Sequence, residues 1–546
     1  MLPHPSTKTF FHTFQSFIKE KKDITLHLQR YGLQTRHCLI SMLEEFQRIY
    51  IARNAFDEGF PLRRREESLS SLIQRYVKCG ELRYALTLYE MGSPCLVDAS
   101  AFLSLLKACG QLKDAESGRG IYAEVARNGL LDYDPFIGSA LVDMHAKCGL
   151  LIESREVFDN LRVKDVVTWT ALIGGYADHG YGIEALECFQ LMQLARVFPN
   201  EVTYACCLKA CGAISATEKG KEIHDVIERK GFLKTCGLVS NTLIDMYGKC
   251  GMLGKAKEVF NKLEKRDVVS WTALIGGYIQ HGHCEEALKC FEQMQRNSVS
   301  PSALTFSCIL KACGTLGALD KGKEVHSKLL SEGLLKTNLF VGNALIDMYA
   351  KCGILSKAQE VFDELPVHDL VSWNALVTGY ALLAEVENVI FVFERMKREG
   401  RKPDMVTFVS ILNACSHSGL IEMGEMYYKL ICVDYGIAPT LEHYTCIIDL
   451  LSRAGQLDRA VAMMKSSQLH PNMVLWLTIL GACCKWGDVE LGRHAFEEIL
   501  RLDEKEDSAY VCMYNIYAYA DMPCEAKEVD AMREKNETRR NLCMLD

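Results

Sequence analysis

Apolar residues recur along this chain with the spacing of helices rather than strands. Within 166–200 one apolar face follows the i, i+3, i+4, i+7 pattern, and a second amphipathic stretch comes after Gly180. The pattern predicts two helices joined by a turn, with Thr168 where a helix N-cap is wanted. One hairpin cannot bury its own apolar face, so we expect hairpins to stack into a solenoid. The two faces comprise Trp169, Leu172, Ile173 and Tyr176, then Ala185, Leu186, Phe189 and Met192.

The hairpin belongs to an internal repeat. DVVTWTALIGGY at 165–176 returns as DVVSWTALIGGY at 267–278 and as DLVSWNALVTGY at 369–380, which places the tryptophans 102 residues apart. Each 102-residue unit divides into motifs of 35, 36 and 31 residues, as in 166–200, 201–236 and 237–267. Equivalent positions therefore share one expected role. Ser270 and Ser372 stand at the N-cap position predicted for Thr168, Gly282 marks the same turn as Gly180, and Ala384 replaces that glycine in the third copy.

Composition narrows the class of protein. The 24 cysteines fall largely in A-C and K-C-G contexts set by the repeat, without a CxxC pair, so we interpret them as small apolar residues in a reducing compartment. No apolar run reaches the roughly 20 residues that a membrane-spanning helix needs. The first 19 residues contain no acid and several hydroxyl side chains, which resembles an organellar transit peptide. The repeat-phased cysteines are Cys109, Cys148, Cys211, Cys250, Cys313 and Cys352.

The alternating lengths and the words VVTWTALIGGY, LKACG, GKEIH and LIDMYGKCG resemble the plant PLS class of pentatricopeptide repeat (PPR) proteins. The resemblance implies an all-α, right-handed superhelical solenoid of stacked helix–turn–helix repeats. It also implies three regions: an N-terminal region at 1–65, an array of P, L and S motifs at 66–472, and E1/E2-like motifs at 473–546. HYTCIIDLLSRAGQLDRA resembles the S2 motif, while VLWLTILGACCKWGDVELG and SAYVCMYNIYAYA resemble E1 and E2.

The resemblance implies sequence-selective binding of single-stranded RNA, with one base read per motif by its fifth and last residues. Uracil is implied for Asn241 with Asp267, Asn343 with Asp369, and Asn374 with Asp404. Adenine is implied for Thr170 with Asn200 and for Thr445 with Asn472, while Ser139 with Asp165 leans to guanine and Thr272 with Ser302 to purines. The second residues that would sandwich the bases are Phe136, Val167, Leu238, Val269, Phe340 and Val371.

Simpler roles compete with this interpretation. Asp165, Asp267 and Asp369 directly precede helices, where an acid caps free N–H groups, and we expect them to serve both purposes. The L motifs have Leu103, Ala205, Ser307 and Val409 at the fifth position; because three of these cannot hydrogen-bond, L motifs are expected to space the array. A basic residue recurs every 102 residues and is either a solvated face or a contact to RNA phosphates. The members of this ladder are Lys147, Lys249, Lys351 and Arg453, and L motifs add Lys107, Lys209 and Lys311.

Catalysis is not expected. The one HxE, at 283–285, has no CxxC after it, Pro523-Cys524 lacks a second cysteine at zinc-site spacing, and Asp546 comes too soon for a deaminase domain. We expect no metal, no cofactor, no small-molecule substrate and no membrane. The leading hypothesis is a site-recognition factor for C-to-U editing in a mitochondrion or chloroplast, with a deaminase and accessory factors acting in trans. The alternatives are a transcript stabilisation, processing or splicing factor, and a protein-binding helical scaffold.

Overall fold

In a computed structural model of the chain, residues 69–91, 97–130, 135–466, 472–504 and 506–543 are described. Every regular element among them is an α-helix, which confirms the all-α prediction. The N-terminal region 1–65, including the expected transit peptide, lies outside the described residues. The described residues fall into two compact units, with the boundary between Ile137 and Gly138. No helix in the described ranges is both long and apolar enough to cross a membrane.

The helices alternate as first and second members of hairpins. The first unit contains α1 (Leu69–Lys78), α2 (Leu82–Met91), α3 (Ala99–Leu112) and α4 (Ala115–Arg127), and its end runs into α5 (Pro135–Lys147). The second unit continues with α6 (Leu151–Asn160), α7 (Val166–Asp178), α8 (Gly182–Leu194), α9 (Glu201–Ala213), α10 (Thr217–Arg229), α11 (Phe232–Thr235), α12 (Gly237–Lys249), α13 (Leu253–Lys262), α14 (Val268–Gln280), α15 (Cys284–Arg296), α16 (Ala303–Leu316), α17 (Leu319–Ser331), α18 (Leu334–Thr337), α19 (Leu339–Lys351) and α20 (Leu355–Glu364). The rest comprises α21 (Leu370–Leu382), α22 (Val386–Arg398), α23 (Met405–Ser418), α24 (Ile421–Val433), α25 (Leu441–Arg453), α26 (Leu457–Ser466), α27 (Met473–Trp486), α28 (Val489–Leu502), α29 (Asp507–Tyr519) and α30 (Pro523–Cys543).

Successive hairpins of the second unit stack through their first helices, so that α7 packs on α9, α9 on α12 and α12 on α14. The predicted apolar faces lie in this core: Leu172 and Ile173 are fully buried in α7, as are Ala185 and Met192 in α8. Burial of these faces by neighbouring hairpins is what stabilises a repeat array.

The repeated tryptophan joins one hairpin to the previous one. Trp271 meets Phe260 of α13 edge-on, with ring centroids 4.6 Å apart. The other two copies have the same contact, at 4.5 Å for Trp169 on Phe158 and 4.7 Å for Trp373 on Phe362. Edge-to-face geometry at this separation is a favourable aromatic contact. The tryptophan signature therefore reflects packing between repeats.

Turn geometry agrees with the glycine pattern. Gly180 and Gly282 have φ of 84° and 78°, the left-handed region in which glycine carries no steric penalty. Ala384 adopts the same region with φ of 57°. The third copy therefore keeps the turn without the glycine, at the steric cost of a Cβ in that conformation.

The N-cap prediction was wrong by one helical turn. Asp165, not Thr168, caps α7: its carboxylate accepts the Thr168 N–H at 2.8 Å. Asp267 and Asp369 cap α14 and α21 in the same way, so Ser270 and Ser372 are also third residues of their helices and not caps. The capping role expected of the three aspartates is therefore confirmed.

The cysteine interpretation holds in part. Cys109, Cys211 and Cys313 are buried, whereas the K-C-G cysteines are only half-buried because they lie at the ends of the first helices. Desolvation by burial raises the pKa of Cys211 to about 12, which disfavours the thiolate that binds metals and reacts. In the described part of the chain, no group of His, Cys, Asp and Glu is arranged to hold a metal ion.

Candidate RNA-reading surface

Each predicted reading pair spans two consecutive first helices. The fifth residue lies one turn into a first helix, and the last residue of the motif caps the next first helix. Asn374 Nδ2 donates to Asp404 Oδ1 and Oδ2 at 3.0 and 3.2 Å. Asn343 Nδ2 donates to Asp369 Oδ1 at 3.1 Å, and Asn241 Nδ2 reaches both oxygens of Asp267 at 3.3 Å. The three asparagine–aspartate pairs are therefore in direct contact.

The hydroxyl pairs are joined through a third side chain. Thr170 Oγ1 lies 2.7 Å from Thr203 Oγ1, which donates to Asn200 Oδ1 at 2.9 Å. Thr272 reaches Ser302 through Thr305, with oxygen–oxygen distances of 2.7 and 2.9 Å. Ser139 reaches Asp165 through Thr168 in the same arrangement, at 2.9 and 2.5 Å.

The predicted pair of Thr445 and Asn472 is not joined in this way. The Thr445 hydroxyl donates to the carbonyl oxygen of Leu441 at 2.8 Å, while Asn472 caps α27 by accepting the Leu475 N–H at 3.1 Å. The third residue of α27, which corresponds to Thr168, Thr203 and Thr305 in the other repeats, is Leu475 and has no hydroxyl group. The structure shows no hydrogen bond between these two predicted residues within its described ranges.

The bridging residue was missed by the sequence reasoning. It is the third residue of the first helix that follows a reading pair, and Thr203, Thr305 and Thr407 are completely buried there. The signal was present in the sequence, since a hydroxyl residue follows the cap by three positions. At Thr168, Ser270 and Ser372 the spacing predicts only an N-cap, and Thr203, Thr305 and Thr407 had no predicted role.

The caps at Asp267 and Asp369 remain charged over a wide pH range. Burial opposes ionisation, but hydrogen bonds from the backbone N–H of the third residue and from the paired asparagine outweigh it and lower the pKa of both carboxyl groups. A carboxylate only accepts hydrogen bonds, so the NH₂ side of the asparagine must face it.

An exposed apolar residue stands at the second position of successive first helices. The predicted sandwiching residues are 52 to 67% exposed, although large aliphatic and aromatic side chains are usually buried. The structure shows further residues of this kind that the prediction omitted, because the first helices of the L motifs and α27 also have an apolar side chain at the second position, 47 to 54% exposed. The predicted members are Phe136, Val167, Leu238, Val269, Phe340 and Val371, and the added ones are Val202, Leu304, Val406 and Val474.

Each cation of the predicted ladder is paired with an acid on its own helix. Lys249 Nζ lies 2.7 Å from Asp245 Oδ2, four residues earlier and partly exposed. Lys147, Lys351 and Arg453 form the equivalent pairs with Asp143, Asp347 and Asp449 at 2.6, 2.7 and 2.7 Å. Lys209 of an L motif is paired with Asp178 of the preceding motif at 2.7 Å. An RNA phosphate would have to compete with these carboxylates.

The helical repeats, the polar triads between them and the exposed apolar row together define a helical-repeat protein with a periodic binding surface. Family models agree with this class. The PPR repeat family model matches 164–213, 266–315 and 368–417, and the PPR repeat model matches 67–91, 239–268, 343–370, 406–433 and 442–468. The E motif model matches 486–539. The chain belongs to the pentatricopeptide repeat family, and its repeats followed by an E motif agree with the E subgroup of the PLS class.

Known relatives are plant proteins. The chain is 36% identical over 474 residues to the Arabidopsis thaliana pentatricopeptide repeat-containing protein CRR2, chloroplastic, covering 86% of this chain and 71% of the relative. It is 38% identical over 400 residues to another Arabidopsis thaliana pentatricopeptide repeat-containing protein, covering 73% of this chain and 55% of the relative. The chain thus spans little more than half the length of that second relative.

Among solved structures, the chain resembles the pentatricopeptide repeat protein PPR10 in complex with an 18-nt psaJ RNA element. The TM-score is 0.50 at 16% identity, with 98% of each chain covered. This likeness supports the helical solenoid fold.

Proposed function

We propose that this protein binds single-stranded RNA sequence-selectively along the first helices of its repeats. The observation that carries the proposal is the recurrence of one arrangement: a polar reading pair lies beside an exposed apolar residue in successive repeats. The pairs supply donors and acceptors that match base edges, and the apolar side chains supply faces for the bases. PPR10, which has the same fold, was crystallised with RNA.

The decisive experiment exchanges one pair for another. Asn374→Thr with Asp404→Asn rebuilds the Thr170–Asn200 arrangement, since the bridging residue is a threonine in both places, Thr407 and Thr203. Selection from a random RNA pool should show the preference at one nucleotide shifting from uracil toward adenine.

The reverse exchange, Thr170→Asn with Asn200→Asp, is the matched control and should shift adenine toward uracil at a different nucleotide. Unchanged preferences in both double variants would refute the assignment of the reading residues. Absence of any RNA affinity at low salt would refute RNA binding itself and favour a protein-binding scaffold.

We further propose that the RNA site selects cytidines for C-to-U editing in an organelle, with a deaminase and accessory proteins acting in trans and no catalysis by this chain. The E motif match at 486–539 supports the editing role, and the chloroplastic relative supports the organelle. Loss of the gene should abolish conversion of one or a few cytidines in chloroplast or mitochondrial transcripts. Unchanged editing with an altered transcript end would instead indicate stabilisation, processing or splicing.

A further inference from the structure

The bridging hydroxyl at the third position of a first helix touches the reading asparagine of the previous repeat. Ser372 Oγ donates to Asn343 Oδ1 at 2.7 Å, with Asp369 Oδ1 as the more distant acceptor at 2.9 Å. Thr407 Oγ1 donates to Asn374 Oδ1 at 2.6 Å, with Asp404 Oδ1 at 3.0 Å. Both hydroxyl residues are completely buried. Their effect on a bound base must therefore pass through the asparagine.

Two neighbours of opposite character fix which way the amide faces. The Asp369 carboxylate can only accept, so it holds the Nδ2 side of Asn343; the Ser372 hydroxyl has a proton to donate, so it holds the Oδ1 side. A reversed amide would place Oδ1 against a carboxylate oxygen at about hydrogen-bond distance, which is repulsive. The amide of Asn343 then has one N–H and one oxygen lone pair that remain available to a base, and their relative positions are fixed. Uracil presents an adjacent acceptor and donor that match such an order.

In one repeat the amide of the reading asparagine is not held on both sides. Ser270 Oγ donates to the backbone carbonyl oxygen of Asp267 at 2.8 Å instead of to Asn241. Asn241 then holds Asp267 through two longer contacts of 3.3 Å. Its amide oxygen has no such hydroxyl donor from the next helix, so the carboxylate alone orders the amide.

Side-chain stiffness accounts for the difference. At all four positions where the third residue is a threonine, its hydroxyl faces the fifth residue of the previous repeat, whereas the two serines differ. Two heavy atoms on Cβ leave threonine fewer χ1 rotamers in a helix than serine has, and all four threonines adopt the one that turns the hydroxyl toward the previous repeat. The four threonines are Thr168, Thr203, Thr305 and Thr407.

We infer that the third residue of a first helix, where it is a serine or threonine, is a positioning residue that sets how strictly the preceding repeat discriminates its base. This inference rests on the proposed RNA binding. It assigns a role in specificity to side chains that do not touch the RNA. It also ranks the uracil-reading repeats, because the repeats of Asn343 and Asn374 should discriminate strongly between bases and the repeat of Asn241 should discriminate weakly.

The test compares Ser372→Ala with Ser270→Ala in the full chain. Affinities are measured for RNAs that differ only at the nucleotide facing the affected repeat. Ser372→Ala should reduce discrimination about three- to tenfold, the value of one ordinary hydrogen bond, while Ser270→Ala should change it less than twofold. Ser372→Thr should keep discrimination, and Ser270→Thr should raise it at the Asn241 nucleotide.

Thermal unfolding separates positioning from a structural role. Both serines are buried, hydrogen-bonded third residues, so their alanine variants should lose similar stability. Equal loss of discrimination in both alanine variants, or full discrimination in Ser372→Ala, would overturn the inference. If the wild-type protein itself shows no base preference, the proposed function fails as well, so the two failures are distinguishable.

Discussion

Two first helices approach each other through glycines, and this contact gives a sharp prediction. In Gly277→Ala the new Cβ would lie 2.9 Å from the Cα of Gly248 and 3.6 Å from its carbonyl carbon. These are backbone atoms of α12, which no rotamer change can move. Relaxed carbon–carbon contacts are about 3.5 to 4.0 Å, so α12 and α14 must separate by roughly 0.6 to 1.1 Å.

The neighbouring Gly276→Ala isolates the steric cost. A Cβ at Gly276 meets nothing within 4 Å. Both substitutions gain about 1 kcal/mol of helix propensity, and overpacking costs about 1 to 3 kcal/mol at Gly277 alone. The two variants should therefore differ by about 1 to 3 kcal/mol, with Gly276→Ala more stable than wild type. Wider spacing of α12 and α14 should also separate Asn241 from Asp267 and weaken base reading there.

Hydrogen exchange followed by mass spectrometry suits this comparison, because a repeat array can unfold locally and a single transition would average over repeats. Faster exchange confined to α12, α14 and their hairpin partners is the expected result for Gly277→Ala. Equal protection of the two alanine variants would refute the argument that first-helix spacing is set by backbone contact.

Two further changes follow from local geometry. Asp245→Asn should free Lys249 for phosphates and strengthen binding of all RNAs a few-fold at low salt, measured by fluorescence anisotropy across a salt series. Asp363→Asn, on a second helix, is its charge-matched control, and equal gains in both would mean that only net charge matters. Ala384→Gly should stabilise the third copy by about 0.5 to 1 kcal/mol, because relief of the left-handed Cβ outweighs the added freedom of the unfolded chain. Ala171→Gly, inside α7, should instead destabilise by about 1 kcal/mol in the same unfolding measurement.

Much of the fold could be predicted because each motif of the sequence repeat corresponds to one helical hairpin of the structure. The motif boundary at 166 coincides with the start of α7 at Val166, and the tryptophan spacing identified equivalent positions in all three copies. The N-cap error has a physical source. The apolar face begins at Trp169, while Val166 is only half-buried and Val167 is exposed, so the periodic signal starts about one turn after the helix does.

The candidate site was predictable only as a set of positions. Sequence spacing placed Asn374 and Asp404 in one motif, but the contact between them depends on how far consecutive first helices are displaced, which no local pattern encodes. The Thr407 hydroxyl could not be distinguished from a capping group for the same reason. By contrast, the acid four residues before each ladder cation has the i, i+4 spacing of a helical ion pair, so these pairs could be predicted from the sequence alone.

These acid–base pairs bear on how a chain with a net charge of -8 could bind RNA. Each exposed i, i+4 pair contributes about 0.2 to 0.5 kcal/mol, so breaking all four ladder pairs would cost about 1 to 2 kcal/mol. That cost is small beside the attraction of four cations to a phosphate backbone at low salt. It applies equally to every RNA sequence, however, and therefore weakens non-selective binding. Contacts to base edges would then decide which RNA is retained, as a sequence-selective protein requires.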